Sequence, residues 1–349
     1  MSNSLKKLAF SLIFATAASG SAWAAESLNI YSARHYPSDE QLYQGFTETT
    51  GIEIRRVDAD DAGVLARLKA EGKNSPADVV LLVDATRLWK AEQTGLFAPI
   101  RSQLLEEAIP ASLRATPNAQ GETAWFGFST RARVVVYNKT KWQAADVANY
   151  EQLASPAFKG QLCIRSGSHP YNLSLFGSVL EHLGPTATET WLQGLVTNMA
   201  RKPKGGDTDQ IRAVASGECG VAVTNSYYLA RLMLSKKPED RQVAERVGVS
   251  FPNQGSWGTH VNIAGGAVAR HAPNRANAIR FLEYLASPKA QAHFANGNNE
   301  WAAAQKVSFD NPALKAMTPK GFKAETIPVS QIGQNQTRIQ QMLDRVGFR

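Results

Sequence analysis

Short apolar runs that alternate with helix-period segments constrain the fold of this chain more than any other feature. LNIYS reads as a strand, and DEQLYQGFTETTG follows as a helix closed by Gly51, a residue that tolerates the left-handed turn at a helix end. IEIRRVDA is a strand with alternating apolar positions, and AGVLARLKAEG is a helix. ADVVLLVD is a continuous apolar strand, and ATRLWKAEQTGLF is the next helix. A continuous apolar run suits a strand covered on both faces. This alternation predicts a parallel α/β sheet whose ligand-bearing edge lies at the carboxyl ends of its strands.

The run WFGFSTRARVVVYNK has no helical period and reads as extended chain crossing between two lobes. Beyond it the alternation restarts. KGQLCIRS is a strand, a helix runs from Asn172 to about Leu183, and ETWLQGLVTNMA and DTDQIRAVASGE are helices. CGVAVTN is a strand leading into the helix SYYLARLMLS, and RVGVSFPN is a further strand. HVNIAGGAVA reads as a return to the first lobe, followed by the helix NRANAIRFLEYLAS. SQIGQNQTRIQQMLDRVGF predicts one terminal helix with Ile332, Ile339, Leu343 and Val346 along a stripe. The expected organisation is a leader over 1–24, a first lobe over 25–127 and a second lobe over 128–258. The chain then returns to the first lobe over 259–305 and ends in helices over 306–349 that pack on the second.

The first 24 residues carry Lys6 and Lys7, an apolar run from Leu8 to Ala18, and the small residues Ala22 and Ala24 around Trp23. This is the pattern of a secretory signal cleaved near Ala24/Ala25, and its apolar run is too short to span a bilayer. The mature chain of about 325 residues suits two lobes better than one core. It carries no later membrane span in the sequence. The net charge of +8 includes the two leader lysines, which leaves +6 scattered along the mature chain. No basic block or aromatic ladder points to nucleic acid. In an exported chain, two cysteines, Cys163 and Cys219, predict one disulfide, two buried thiols being the alternative.

Tyrosines mark the turns. YSARHYPSD places Arg34, His35 and Tyr36 at the end of the first strand. RSGSHPYNLS places Tyr171 between strand and helix, and TNSYYLA places Tyr227 and Tyr228 at another such junction. Adjacent tyrosines usually supply one packed and one surface ring. Agreement among three separate turns and an export signal favours a ligand site instead. Phenolate is a hard, charged oxygen donor suited to ferric iron, and a bound metal deprotonates a phenol whose free pKa is near ~10. His169, close to Tyr171, competes with His35 as the nitrogen donor.

Two α/β lobes in an exported chain resemble a type II-like periplasmic solute-binding protein, which would hold its ligand in a cleft closed by a hinge. More specifically, YSARHY, RARVVVYNK, RSGSHPYN, KPKGGDTDQIRAVASGE and TNSYYLAR resemble the periplasmic ferric-binding proteins of iron-uptake ABC transporters, and among them the tyrosine-rich subgroup of cyanobacterial and Campylobacter-type proteins. The resemblance spans most of the mature chain. It implies His35, Tyr36, Tyr171, Tyr227 and Tyr228 as metal ligands, with Fe3+ as cargo. A related subgroup uses an acidic ligand from the first lobe. Asp84 lies near that place, and with so many tyrosines it is expected to support the site rather than bind metal. SHPYN departs from the commoner S-N-x-Y-N pattern, which touches the geometry of that loop.

The resemblance further implies an inner-membrane ABC permease and its ATPase as partners of a periplasmic, monomeric chain. Four phenolates around Fe3+ leave about −1, and Arg131 in the crossing run is the favoured partner for that charge, ahead of Arg34. Two other readings are an oxyanion or organic-acid receptor that uses the arginines without metal, and an exported non-haem iron enzyme. Five protein donors leave at most one open position for chemistry, and no nucleophile elbow is present, so the enzyme reading is the weaker.

Overall fold

The computed structural model of the chain describes residues 26–34 and 36–349. The leader, its cleavage site and His35 lie outside the described residues. No helix among the described residues is long and apolar enough to cross a membrane.

Among the described residues nine strands form the framework: β1 Ser27–Ser32, β2 Glu53–Asp58, β3 Val79–Val83, β4 Phe126–Asn138, β5 Leu162–Cys163, β6 Val221–Asn225, β7 Val247–Ser250, β8 Val261–Val268 and β9 Trp301–Ala302. Their order is β2-β1-β3-β8-β4-β6-β5, with β7 and β9 also pairing β4. β1 pairs in parallel with both β2 and β3, as strand–helix alternation requires, and β8 joins β3 antiparallel. The glycine pair in β8 has a packing reason. A Cβ on Gly265 would lie 2.6 Å from Leu88 Cδ1 and 2.6 Å from the Phe126 carbonyl oxygen.

β4 belongs to both lobes. Its first half pairs β8 from Phe126 to Ala132, and its second half pairs β6 from Arg133 to Tyr137. Apolar side chains on either side of this changeover feed separate cores. One side packs Phe46, Phe128, Phe281 and Phe294, the other Phe176, Trp191, Leu195 and Leu343. A disulfide joins Cys163 to Cys219, with Cα atoms 5.8 Å apart. It closes the root of the β5–β6 pair, where Leu162 registers with Val221.

The long helix Pro170–Asn198 breaks at Gly184, whose φ of 75° is left-handed, immediately before Pro185. Two helical segments were legible there. The C-terminal run differs from the single helix expected: it forms Val329–Gln334 and Gln336–Val346. The first piece packs tightly on the first lobe, since a Cβ on Gly333 would fall 2.7 Å from Trp89 Cβ. Ile339 and Leu343 instead enter the second-lobe core. One straight axis does not serve both surfaces, and the chain turns at Asn335.

Candidate metal centre

Each tyrosine-bearing turn follows a strand end. Tyr36 sits past β1 and leads into a single 3-10 turn, Pro37–Asp39. Tyr227 and Tyr228 open the helix Ser226–Met233 directly after β6. Tyr171 opens the helix Pro170–Asn198, whose first turn is capped by His169 accepting from the Tyr171 N–H at 3.2 Å.

These turns converge across the two lobes. The Tyr36 ring meets the Tyr227 ring edge-on at 6.2 Å between centroids. Tyr227 stacks on Tyr228 at 4.2 Å. The Tyr171 and Tyr227 hydroxyls lie 3.2 Å apart. Tyr227 is buried, while Tyr36, Tyr171 and Tyr228 are half-buried. The structure therefore brings together four of the five residues read as ligands. Nothing is said of the fifth, His35. The ring of His169 packs edge-on against Tyr171, and burial drives its pKa down to about 3, with nearby Arg165 adding to the effect, so it is a neutral cap whose Nδ1 is already engaged. Among the described residues, no group of histidine, cysteine, aspartate and glutamate is placed to hold a metal ion.

A charged network that the sequence did not reveal lies beneath Tyr36. The Tyr36 hydroxyl donates to Glu300 Oε1 at 2.7 Å. Arg131 Nη2 donates to the same oxygen at 2.6 Å, Arg34 Nη1 lies 3.5 Å from Oε2, and Ser129 also donates to the carboxylate. Arg34 bonds Asp39 at 2.8 Å and places its guanidinium 4.8 Å from the Tyr36 ring centroid. Arg34, ranked behind Arg131 in the sequence, thus lies directly against Tyr36. Arg131 is already paired with a carboxylate, and its charge is shared with Glu300. Glu300 is buried, yet the two guanidiniums hold it down at about 2. Its partners are 169 and 264 residues distant in sequence, so no local pattern reveals it.

Asp84 does not face the phenols through a free oxygen. It has a left-handed φ of 102° and caps the helix Ala85–Gln93. Its carboxylate accepts from Thr86, from Ser174 at 2.8 Å and from Asn262 at 2.7 Å. Ser174 lies on the helix Pro170–Asn198 and Asn262 on β8, so Asp84 ties the two together at the end of β3. Its burial raises its pKa.

Tyr36, Tyr171 and Tyr227 are held in their protonated form in this arrangement. Burial raises the pKa values of Tyr36, Tyr171 and Tyr227, and neighbouring groups add to it: Glu300 for Tyr36, and the other tyrosines for Tyr171 and Tyr227. Arg131 opposes this at all three tyrosines, and Arg231 opposes it at Tyr36 from the mouth of the cluster. The exposed Arg231 guanidinium lies 4.8 Å from the Tyr36 centroid, 4.9 Å from Tyr227 and 5.7 Å from Tyr228. Four hard oxygen donors within one cluster, with cations nearby to favour their ionised form, match the chemistry of a hard, highly charged metal ion.

Residues 41–320 match the family described as bacterial extracellular solute-binding protein. Iron uptake protein A1 of Synechocystis sp. is 42% identical over 325 residues, which cover 93% of this chain and 88% of that protein. Iron uptake protein A2 of the same organism is 45% identical over 324 residues, covering 92% and 90%. Among solved structures, the Trichodesmium protein IdiA (FutA) in complex with iron and citrate superposes with a TM-score of 0.87 at 46% identity, covering 93% of this chain and all of the other. The ferric binding protein of Campylobacter jejuni gives 0.85 at 39% identity, covering 92% and 100%.

Proposed function

The chain belongs to the bacterial extracellular solute-binding proteins, and on that premise we propose that it captures ferric iron with Tyr36, Tyr171, Tyr227 and Tyr228, assisted by His35. Iron is cargo. The chain acts in the periplasm after loss of its leader, as a monomer, and hands the metal to an inner-membrane ABC permease driven by its ATPase. It is a binding protein and not an enzyme, in keeping with relatives named for iron uptake and ferric binding.

The observation that carries the reading is the meeting of phenols from both lobes, Tyr36 against Tyr227 and Tyr227 against Tyr171. Closing the lobes on a metal brings every donor to it at once, and opening them withdraws the donors that the first lobe supplies. Binding replaces phenolic protons by Fe3+, so loading releases protons. The charge balance is informative. Fe3+ with four phenolates and a neutral imidazole leaves about −1. Arg34 and Arg131 are offset by Asp39 and Glu300. Arg231 forms no ion pair among the described residues and lies over three of the rings, so it is the cation that answers the remaining charge.

A ferric titration followed by visible absorbance tests the function. A tyrosinate-to-iron charge-transfer band should grow to one equivalent and weaken when any of the four tyrosines becomes phenylalanine. Colourless binding of an organic acid or oxyanion without metal overturns the reading in favour of an anion receptor.

A further inference from the structure

The three phenols of the second lobe come from two turns far apart in sequence, and one buried guanidinium joins them. Arg133 is the register partner of Asn225 across the β4–β6 pair. Its Nη1 donates to Asp207 Oδ2 at 2.6 Å and to Asn225 Oδ1 at 3.2 Å, and its Nη2 donates to Asn172 Oδ1 at 2.7 Å. Asn172 is the residue after Tyr171. Asn225 is the cap of the helix that opens with Tyr227 and Tyr228. Asp207 completes the frame by accepting from the Asn225 N–H at 2.7 Å. Asn172 in turn donates to the carbonyls of Arg165 and Ser166, which fixes the loop before Tyr171. Arg165 also faces Asp207 at 3.4 Å and lies 5.2 Å from the Tyr171 ring centroid.

We propose that Arg133 is a positioning residue for metal capture, its planar fork setting the spacing between the Tyr171 turn and the Tyr227–Tyr228 turn so that three phenolates reach one ion. The role rests on the ferric reading above. A plain stability role explains the arrangement less well. Arg133, Asp207, Asn172 and Asn225 are all buried, and a buried ion pair rarely adds net stability over apolar residues of the same volume. Its distinctive property is geometric: a guanidinium offers donors in fixed directions, and here they reach both turns at once. Groups that orient metal ligands without touching the metal commonly act in this way.

Ferric titrations of the full mature chain test the role, with Arg133→Lys as the principal variant. Lysine keeps a charge for Asp207 but cannot hold Asn172 and Asn225 together in one plane. The expected result is a ferric affinity lower by roughly 10–100-fold, with a charge-transfer band that is shifted and weaker. The band reads ligand geometry, which a purely structural pair would leave unchanged in protein that still folds. Asn172→Ala and Asn225→Ala leave the Arg133–Asp207 pair in place and carry the test should the lysine variant not fold. Each should alter the band, the first through Tyr171 and the second through Tyr227 and Tyr228. Wild-type protein with a band, and folded variants with the same band and affinity, overturn the role of Arg133 alone. Wild-type protein without a band overturns the ferric reading and this role with it.

Discussion

In the first lobe the Tyr36 hydroxyl rests on a carboxylate, Glu300, whereas in the second lobe the Tyr171 and Tyr227 hydroxyls rest on each other. Both halves are underlaid by an arginine from β4. Arg131 and Arg133 are two residues apart on the same strand face, and each turns into a different lobe, toward Glu300 and Asp207. The difference lies in what each network grips. Around Arg131 it reaches the phenol itself. Around Arg133 it reaches the residues beside the phenols and leaves their oxygens to one another. The second lobe therefore presents three phenols already gathered on one body, while the first holds its phenol on a carboxylate until a stronger claimant arrives. Metal capture should begin on the second lobe and finish when Tyr36 exchanges Glu300 for the ion.

Acid should weaken both halves and gives the largest expected effect. Glu300 in the first half, between two guanidiniums, is depressed from 4.5 to about 2. Glu325 bonds His260, His182 and Ser178 beside the second-lobe helix, and those histidines hold it likewise at about 2. A carboxylate whose pKa is lowered on folding lends stability above its unfolded pKa and loses it as pH falls through the folded one. The window thus runs from about 4.5 down to about 2, and each group should surrender about 3 kcal/mol across it. Asp84, raised by burial, works in the opposite direction. Denaturant melts of the iron-free protein between pH 6 and 3 measure the slope, and Glu300→Gln and Glu325→Gln should each remove a share of it. Stability that stays flat to pH 3 would contradict both assignments.

The disulfide distinguishes the halves more sharply, since Cys163–Cys219 braces only the second. Its sequence separation of 56 corresponds to roughly 4 kcal/mol in the chain-entropy account. The double variant Cys163→Ala, Cys219→Ala should melt lower by that order and keep its iron band, because Arg133 joins the tyrosine turns at the other end of the strands. Loss of the band in folded, disulfide-free protein would show that the strand roots rather than the guanidinium set the geometry.

Next in size are the phenols. Four-donor structural metal sites bind with about 10–16 kcal/mol, so one donor carries about 3 kcal/mol, or roughly 100-fold in affinity. Tyr227→Phe should lose that much, since Tyr227 touches Tyr36, Tyr171 and Tyr228. Tyr36→Phe should lose less, because the wild-type residue must first give up its bond to Glu300. The reverse ranking in competition titrations would mean that capture starts on the first lobe.

How much of this was legible in the sequence follows the range of the interactions involved. The parallel strands of the first lobe and the end of a helix near Leu183 were readable because periodicity acts locally. The turns that bear tyrosines were readable for the same reason. The helix Pro238–Arg246 was not, since it buries no residue and shows no apolar stripe. The division of the C-terminal run was hidden because Gly333 meets Trp89, far away in sequence. Glu300 and Asp207 were hidden likewise. A carboxylate in a polar stretch carries no mark of burial until the fold sets an arginine against it.

The smallest expected effect belongs to an exposed cation that lies over rings of both halves. Arg231 lies at nearly equal distance from Tyr36 of the first lobe and Tyr227 of the second, and it is exposed. Its attraction to the rings, and to the excess negative charge they carry once metal is bound, is therefore exerted partly through water. Exposed contacts of this kind are worth about 0.5–1 kcal/mol. Arg231→Met should accordingly weaken ferric binding by up to about fivefold. Screening decides whether the mechanism is right. Exposed charges lose most of their interaction as the Debye length shrinks to about 3 Å at molar salt, whereas the buried Arg131–Glu300 pair is shielded from that change. The deficit of Arg231→Met should thus fade as salt rises, until variant and wild type bind alike. A deficit of the same size at low and at molar salt would place the Arg231 charge inside the closed site, and the −1 of the iron–phenolate cluster would then be answered from within rather than from the mouth.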